Sequence, residues 1–162
     1  MDFWNILEKS FWAGIAAIGF AVLFNVPVRT LFSIWLLGAI GGLAKFSVLD
    51  LGGNIILASL VGASLIGILS ISIAHKVHAP PLIFSIPAVI PMVPGAFAYR
   101  MMLGLIEIGT HVGDKTGMEE VLVDTAQNGL KVFFILISLA VGVAVPMLVT
   151  RKESAKRIKL PI

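Results

Sequence analysis

The chain contains the segment Ser85-Ile86-Pro87-Ala88-Val89-Ile90-Pro91-Met92-Val93-Pro94-Gly95-Ala96-Phe97-Ala98-Tyr99-Arg100, which is apolar enough for a bilayer yet carries three prolines, a glycine and an arginine. Proline lacks a backbone N–H and clashes with the preceding helical turn, so a span of this kind leaves peptide groups unpaired. In lipid those groups need other polar partners. Interrupted helices near the midplane often mark substrate sites in transporters, so the segment predicts a broken span with a binding role.

The rest of the chain has the composition of an integral membrane protein. Of its 162 residues 58% are hydrophobic and only 13% charged, and the mean hydropathy is +1.02. Five long stretches lack Asp, Glu, Lys and Arg, and a span needs about 20 residues. The sequence therefore predicts one all-α membrane domain over residues 1–162. We expect a polytopic helical bundle of about five spans, near residues 8–27, 29–46, 52–75, 80–109 (broken near 91–95) and 126–150.

Charge distribution gives an orientation. The tail 151–162 is basic and directly follows the last span, which is typical of a cytoplasmic segment of a cell inner or plasma membrane protein. Five crossings then place the amino terminus outside. If residues 80–109 formed a re-entrant hairpin instead, there would be four crossings and an inside amino terminus. Lys45, which dissents from the charge rule, could snorkel and lengthen the short second span.

Local motifs indicate close helix packing and helix ends. Small residues recur at one-turn spacing, which lets helices approach closely in lipid. Thr116 and Glu119 fit a capping box that starts a helix before the last span, and Pro146 should bend that span. The small-residue faces are Ala13 with Ala17, Gly38 with Gly42, Ser59 with Ala63 and Gly67, and Ala140 with Ala144.

Several classes of function are not indicated. The chain has no cysteine, so disulfides and thiolate metal sites are excluded. It shows no nucleophile with a base and no phosphate-binding loop, so we expect neither an enzyme nor a cofactor. His75 and His78 could touch one metal ion, but a basic turn at the membrane surface explains them better, and no metal site is predicted. The net charge of +3 comes mostly from the tail and gives no reason to expect nucleic acid.

The broken span carries the chemistry. Pro81 to Ile90 would rise about 15 Å, half of a roughly 30 Å core, so the break should fall near the midplane. A new helix beginning at Pro94 and Gly95 would direct its positive dipole end at the gap and favour an anion. Arg100, with Tyr99 beside it, would suit a carboxylate, because guanidinium holds both oxygens of that group. Alternatively, Arg100 lies near the outer surface and snorkels or pairs with an acid.

Two further polar residues belong to this hypothesis. Glu107 shares the face of Arg100 and could relay a proton or ion near the outer mouth, although a simple interfacial acid also explains it. Asn25 ends the first span in the turn Phe24-Asn25-Val26-Pro27.

Two motifs together resemble the threonine/serine exporter (ThrE) family, specifically its short membrane-only component. They are Phe20-Ala21-Val22-Leu23-Phe24-Asn25-Val26-Pro27-Val28-Arg29 and Ala88-Val89-Ile90-Pro91-Met92-Val93-Pro94-Gly95, followed by Tyr99. The resemblance implies a secondary exporter of small carboxylate-bearing metabolites. It also implies a larger membrane subunit as partner, as in the pair associated with succinate export. The residues that match the motif, and so the implied substrate site, are Asn25, Pro27, Pro91, Pro94, Gly95 and Tyr99; Arg100 is outside it.

The sequence thus predicts a membrane subunit that exports a C4-dicarboxylate such as succinate with that larger partner. A threonine or serine exporter subunit and a non-transporting scaffold that stabilises a partner remain alternatives. A channel is less favoured, because no filter ring of carbonyl or charged residues is evident. A second five-span half joined in tandem would have the opposite orientation, which would give an inverted repeat with the substrate site between the two halves. A higher oligomer is also possible.

Overall fold

The computed structural model describes residues 3–110 and 118–150, and within those ranges it is helical apart from short turns, with no strand. The predicted all-α membrane bundle with a broken fourth span is confirmed. Four helices are long and apolar enough to cross a membrane, and a fifth crossing is formed if the bent pair counts as one span. The helices are α1 Phe3–Leu23, α2 Leu31–Asp50, α3 Ile55–Val77, α4 Leu82–Val89, α5 Gly95–Thr110 and α6 Met118–Thr150.

Small residues set the distances between helices, as the sequence indicated. A Cβ placed on Gly38 of α2 would lie 2.7 Å from Ala17 Cβ of α1, and one on Gly42 would lie 3.1 Å from Ala13 Cβ. On α6 the close residue is Gly142, where a Cβ would lie 2.7 Å from Ala63 Cβ. The predicted pair Ala140 and Ala144 is exposed instead. Gly142 lies on the opposite face of α6, and that face packs against α3.

Helix ends follow local backbone chemistry. Asn25 has φ 54°, and the amides of Asn25 and Val26 donate to the carbonyls of Val22 and Ala21. This is a Schellman motif, in which asparagine is one of the few residues that tolerate the left-handed conformation. Asn54 caps α3, its side chain accepting from the amide of Ile56 at 3.2 Å. His78 ends α3 at φ 54°, which gives it a structural role in that turn.

The ends of α3 and α6 lie together with the start of α4. His75, Pro80, Leu82 and Thr150 line one surface cleft. Phe24, at the end of α1, lines another cleft with Leu82. The axis of α5 is bent by 54° from that of residues 82–92. A bend of this size leaves the chain advancing towards the opposite end of the bundle, whereas a re-entrant hairpin would have to reverse it.

α5 and α6 form a hairpin of their own. Helix α6 is continuous over 33 residues, about 50 Å, which exceeds the roughly 30 Å of a bilayer core. Its start at Met118 fits the predicted helix beginning, although Thr116 of the predicted capping box lies outside the described residues. Helix α5 packs chiefly against α6, where Gly104 faces Thr125, and it buries none of its own residues. The half-helix after the break therefore lies at the edge of the bundle.

Candidate functional site

The break is built from three short backbone conformations. After α4, residues Ile90–Met92 form a single 3-10 turn, Val93 is extended at φ −58° and ψ 134°, and α5 begins at Gly95. Pro91 and Pro94 have no N–H to donate to the preceding turn. The Val93 amide donates to the Ile90 carbonyl at 2.9 Å, and the Ala98 amide to the Pro94 carbonyl at 3.1 Å. The Met92 carbonyl, in the middle of the break, has no helical donor.

Lys45 supplies the missing donor. Its Nζ lies 3.2 Å from the Met92 carbonyl oxygen and donates a hydrogen bond to it across 47 positions of sequence. The ammonium thereby also caps the carboxyl end of the first half-helix, where a cation is favoured by the helix dipole. The expectation that Lys45 snorkels towards the surface is wrong. Side chains on a helix tilt towards its amino terminus, so Lys45, near the carboxyl end of α2, reaches into the bundle.

Met92 also fixes the depth of the break. A Cβ placed on Gly41 of α2 would lie 2.8 Å from Met92 Cε, and one on Gly62 of α3 would lie 3.0 Å from it. Both glycines are well inside their helices, which run over residues 31–50 and 55–77. Met92 itself is 3% exposed. The break therefore lies inside the bundle, away from its two ends, as the residue count from Pro81 predicted.

A surface cleft of about 450 Å³ reaches the break from the α1 side. Pro91 forms one wall, and Phe46, next to Lys45 in the chain, forms another. The Lys9 ammonium lies 5.9 Å from the centre of the Phe46 ring, a cation–π contact. The remaining lining residues come from one face of α1, and they are Asn5, Glu8, Lys9, Trp12, Ala13 and Ala16.

The predicted residues after the break lie on the outside of the bundle. Pro94 is buried, but Gly95 and Arg100 are exposed, and Tyr99 is 64% exposed. Within the described part of the chain, Arg100 forms no hydrogen bond or ion pair. Glu107 is also exposed, on the same side of α5. The first turn of α5, whose amides are the positive end of its dipole, therefore opens towards the surroundings of the bundle.

Asn25 and Pro27 lie at the other end of α1. The cleft at Pro91 uses residues 5–16 of α1, whereas Asn25 follows the end of that helix at Leu23. Both residues are exposed, and the Pro27 carbonyl accepts from the Thr30 hydroxyl at 2.7 Å. The structure thus brings Lys45 to the break, against the carbonyl of Met92 between Pro91 and Pro94. It does not bring the turn at residues 25–27 to the break.

Sequence reasoning missed Lys45 and the polar face of α1. Lys45 carried a signal that could have been used, because it is a cation within an apolar stretch whose position in α2 directs it inward. Asn5, Glu8 and Lys9 carried a weaker one. Three polar residues at helical spacing before a first span are equally typical of an interfacial segment.

Comparison with known proteins agrees with this architecture. A sequence profile described as "Threonine/Serine exporter, ThrE" matches residues 9–149. The chain belongs to this exporter family. It is also similar to a Haemophilus influenzae protein described as uncharacterized, with 32% identity over 149 residues, covering 92% of this chain and 49% of that protein. The chain thus spans about half the length of this curated relative. No solved structure matches the chain.

The family is described by its exporter function, which implies a membrane location for its members. This agrees with the four apolar helices and the bent pair. The family match covers all six helices except the first residues of α1 and the last residue of α6. The break and its lysine therefore lie inside the region that defines the family.

Proposed function

We propose that this chain is the membrane subunit of a secondary exporter of small carboxylate-bearing metabolites, foremost a C4-dicarboxylate such as succinate. The observation that carries the proposal is the Lys45 ammonium held 3.2 Å from the Met92 carbonyl, at a helix break inside the bundle. A purely structural bundle has no need of irregular backbone or a cation there, since both are costly in a membrane. At an anion site, both features have a purpose.

The same proposal includes a larger membrane subunit as partner. The chain matches only half of its Haemophilus relative, which leaves room in that protein for a second unit of similar size. The first two turns of α5, with Gly95 and Arg100 exposed, present polar groups at the edge of the bundle. A second membrane half packed there would cover these groups and complete a site between halves, as in transporters built from inverted repeats. In that assembly Arg100, Tyr99 and Glu107 would line the shared face.

Export of threonine or serine is the second candidate, and the description of the family favours it. An amino acid needs an acceptor for its ammonium group besides a cation for its carboxylate. The cleft at the break offers one, because Glu8 lines it beside Lys9. Replacement of Glu8 by glutamine should therefore weaken amino-acid export and leave succinate export intact.

Deletion of the chain tests the function directly. Cells that lack it should accumulate one carboxylate internally and lose it from the medium, as measured by metabolite profiling of both fractions. Expression of this chain together with its larger partner should restore export. Expression of this chain alone should not, because half of the site is missing. Robust export with this chain alone would remove the partner from the proposal, and unchanged metabolite profiles after deletion would remove the transport function.

For orientation, we propose five crossings with the amino terminus outside and the tail 151–162 cytoplasmic. The 54° bend, which keeps the chain advancing, and the common end shared by His75, Pro80 and Thr150 support this arrangement. The chain has no native cysteine, so single introduced cysteines can report on which side of the membrane a residue lies. An impermeant maleimide added to intact cells should label Asn5→Cys and leave His78→Cys unlabelled until the cells are opened. The reverse pattern would place the cleft on the cytoplasmic side.

A further inference from the structure

Lys45 has capacity to bind more than the Met92 carbonyl. An ammonium group has three N–H donors, and in the described part of the chain Lys45 makes a single hydrogen bond, at 3.2 Å. No carboxylate of the described helices pairs with it. We propose that Lys45 binds the carboxylate of the exported substrate, with the Met92 carbonyl holding the ammonium in position. This inference rests on the proposed export of carboxylates and assigns its binding charge to α2.

The cost of a charge in this position supports the assignment. A lysine in a membrane span is costly to insert, and such residues face a cavity or a partner and mark substrate pathways. A carbonyl oxygen satisfies one donor but does not neutralise the charge. A carboxylate does both, because its oxygens accept from the two remaining N–H groups in charge-assisted hydrogen bonds.

The cleft on the α1 side comes close to Lys45, because it is lined by the residues next to Lys45 and Met92 in the chain. The cleft at the break is lined by Phe46 and Pro91, the direct chain neighbours of Lys45 and Met92. Lys45 and Met92, the two residues of the hydrogen-bonded pair, are therefore each next in sequence to a residue that lines the cleft. Lys9 at the cleft, held over the Phe46 ring, adds a second positive charge along the path of an incoming anion.

A second donor lies at the same depth on α3. The fully buried Ser59 hydroxyl has no hydrogen-bond partner in the described helices. Helix α3 follows α2 after a short turn and runs antiparallel to it. The contact between Gly41 and Gly62 shows which residues of the two helices lie at the same level. Lys45 comes four residues after Gly41, about 6 Å along α2. Ser59 comes three residues before Gly62, about 4.5 Å along α3. Because the two helices are antiparallel, both displacements point towards the same end of the bundle. A buried hydroxyl without a partner is costly, and a bound carboxylate would relieve that cost.

A purely structural role for Lys45 makes a different prediction. If its only task were to cap the Met92 carbonyl, any side chain that donates a hydrogen bond at that point would serve. Glutamine keeps an N–H donor, on a side chain one bond shorter, and removes the charge. Lys45→Gln therefore separates the two roles, and Lys76→Gln is a matched control, because Lys76 is exposed at the end of α3.

The experiment measures succinate export in membrane vesicles that contain this chain with its larger partner. Lys45→Gln should raise the half-saturating succinate concentration about tenfold to a hundredfold, the range expected for lost hydrogen bonds to a charged group. Lys76→Gln should match the wild type. Wild-type export by a Lys45→Gln protein would overturn the inference while leaving the exporter function intact. Vesicles of the wild type that move no carboxylate would overturn both.

Chemical rescue covers the case in which Lys45→Gln does not accumulate. The chain lacks cysteine, so Lys45→Cys can be modified selectively. A 2-aminoethyl thiosulfonate reagent restores a primary ammonium at this site, whereas a methyl thiosulfonate reagent leaves it neutral. Export should return only with the aminoethyl group. Wild-type export by the unmodified Lys45→Cys protein, or equal recovery with both reagents, would contradict a binding charge at this position.

Discussion

Replacement of Pro91, Pro94 and Gly95 together by alanine should reduce carboxylate export to the level of cells that lack the chain. Each proline replaced by alanine favours a helix by about 3 kcal/mol, and the glycine by about 1 kcal/mol. The restored amides at positions 91 and 94 would donate to the carbonyls of Pro87 and Ile90. The amide of Ala96 would then donate to the Met92 carbonyl and compete with Lys45 for it. The expected product is a straight helix without the 54° bend.

The measurement is export flux, together with the amounts of inserted subunit and of complex with the partner. Both amounts should remain at wild-type levels, because alanine is well tolerated in a membrane helix. A matched triple variant replaces Pro80, Pro81 and Gly109 by alanine. Pro80 and Pro81 precede α4, and a Cβ on Gly109 meets nothing within 4 Å, so this variant should export normally. Unchanged flux in the first variant would favour the scaffold function over transport.

The fold was predictable because its signals are local and strong. Long stretches without charge give spans, and Pro91, Pro94 and Gly95 cannot continue a helix, so the break could be placed from residue counts alone. The pairs Ala13 with Ala17 and Gly38 with Gly42 could be identified as packing faces by spacing. Their pairing with one another could not, because many small-residue faces fit equally well until tertiary contacts choose among them.

The site was only half predictable, since its second half comes from a distant part of the chain. Pro91, Pro94 and Gly95 are defined by what they do to their own backbone. Lys45 joins them through a hydrogen bond over 47 positions, which no local pattern reports. Arg100 attracted attention because it is close to the break in sequence. In the structure it is exposed on α5, so sequence proximity was a poor guide to which cation reaches the break.

The second large effect is expected at the crossing of α2 and α3, where Gly41 and Gly62 pack against Met92 of the break. A Cβ placed on Gly62 would lie 2.8 Å from the Gly41 carbonyl oxygen and 3.0 Å from Met92 Cε. The first contact is with backbone, which cannot swing away as the end of a flexible side chain can. Gly62→Leu should therefore force α3 away from α2, with an overpacking cost of about 3 kcal/mol or more. Because Met92 sits in this crossing, its carbonyl should move relative to Lys45 as well.

Gly62→Leu should accordingly lower both the thermal stability of the detergent-purified complex and carboxylate export. Gly19→Leu is the matched control, because a Cβ at Gly19 on the exposed side of α1 meets nothing within 4 Å. That variant should keep wild-type stability and flux, which excludes a general effect of added volume. Stability equal to wild type in Gly62→Leu would show that the crossing can open without cost. The break would then be held in place by the Lys45 hydrogen bond and the backbone of residues 90–95, with little help from the α2–α3 contact.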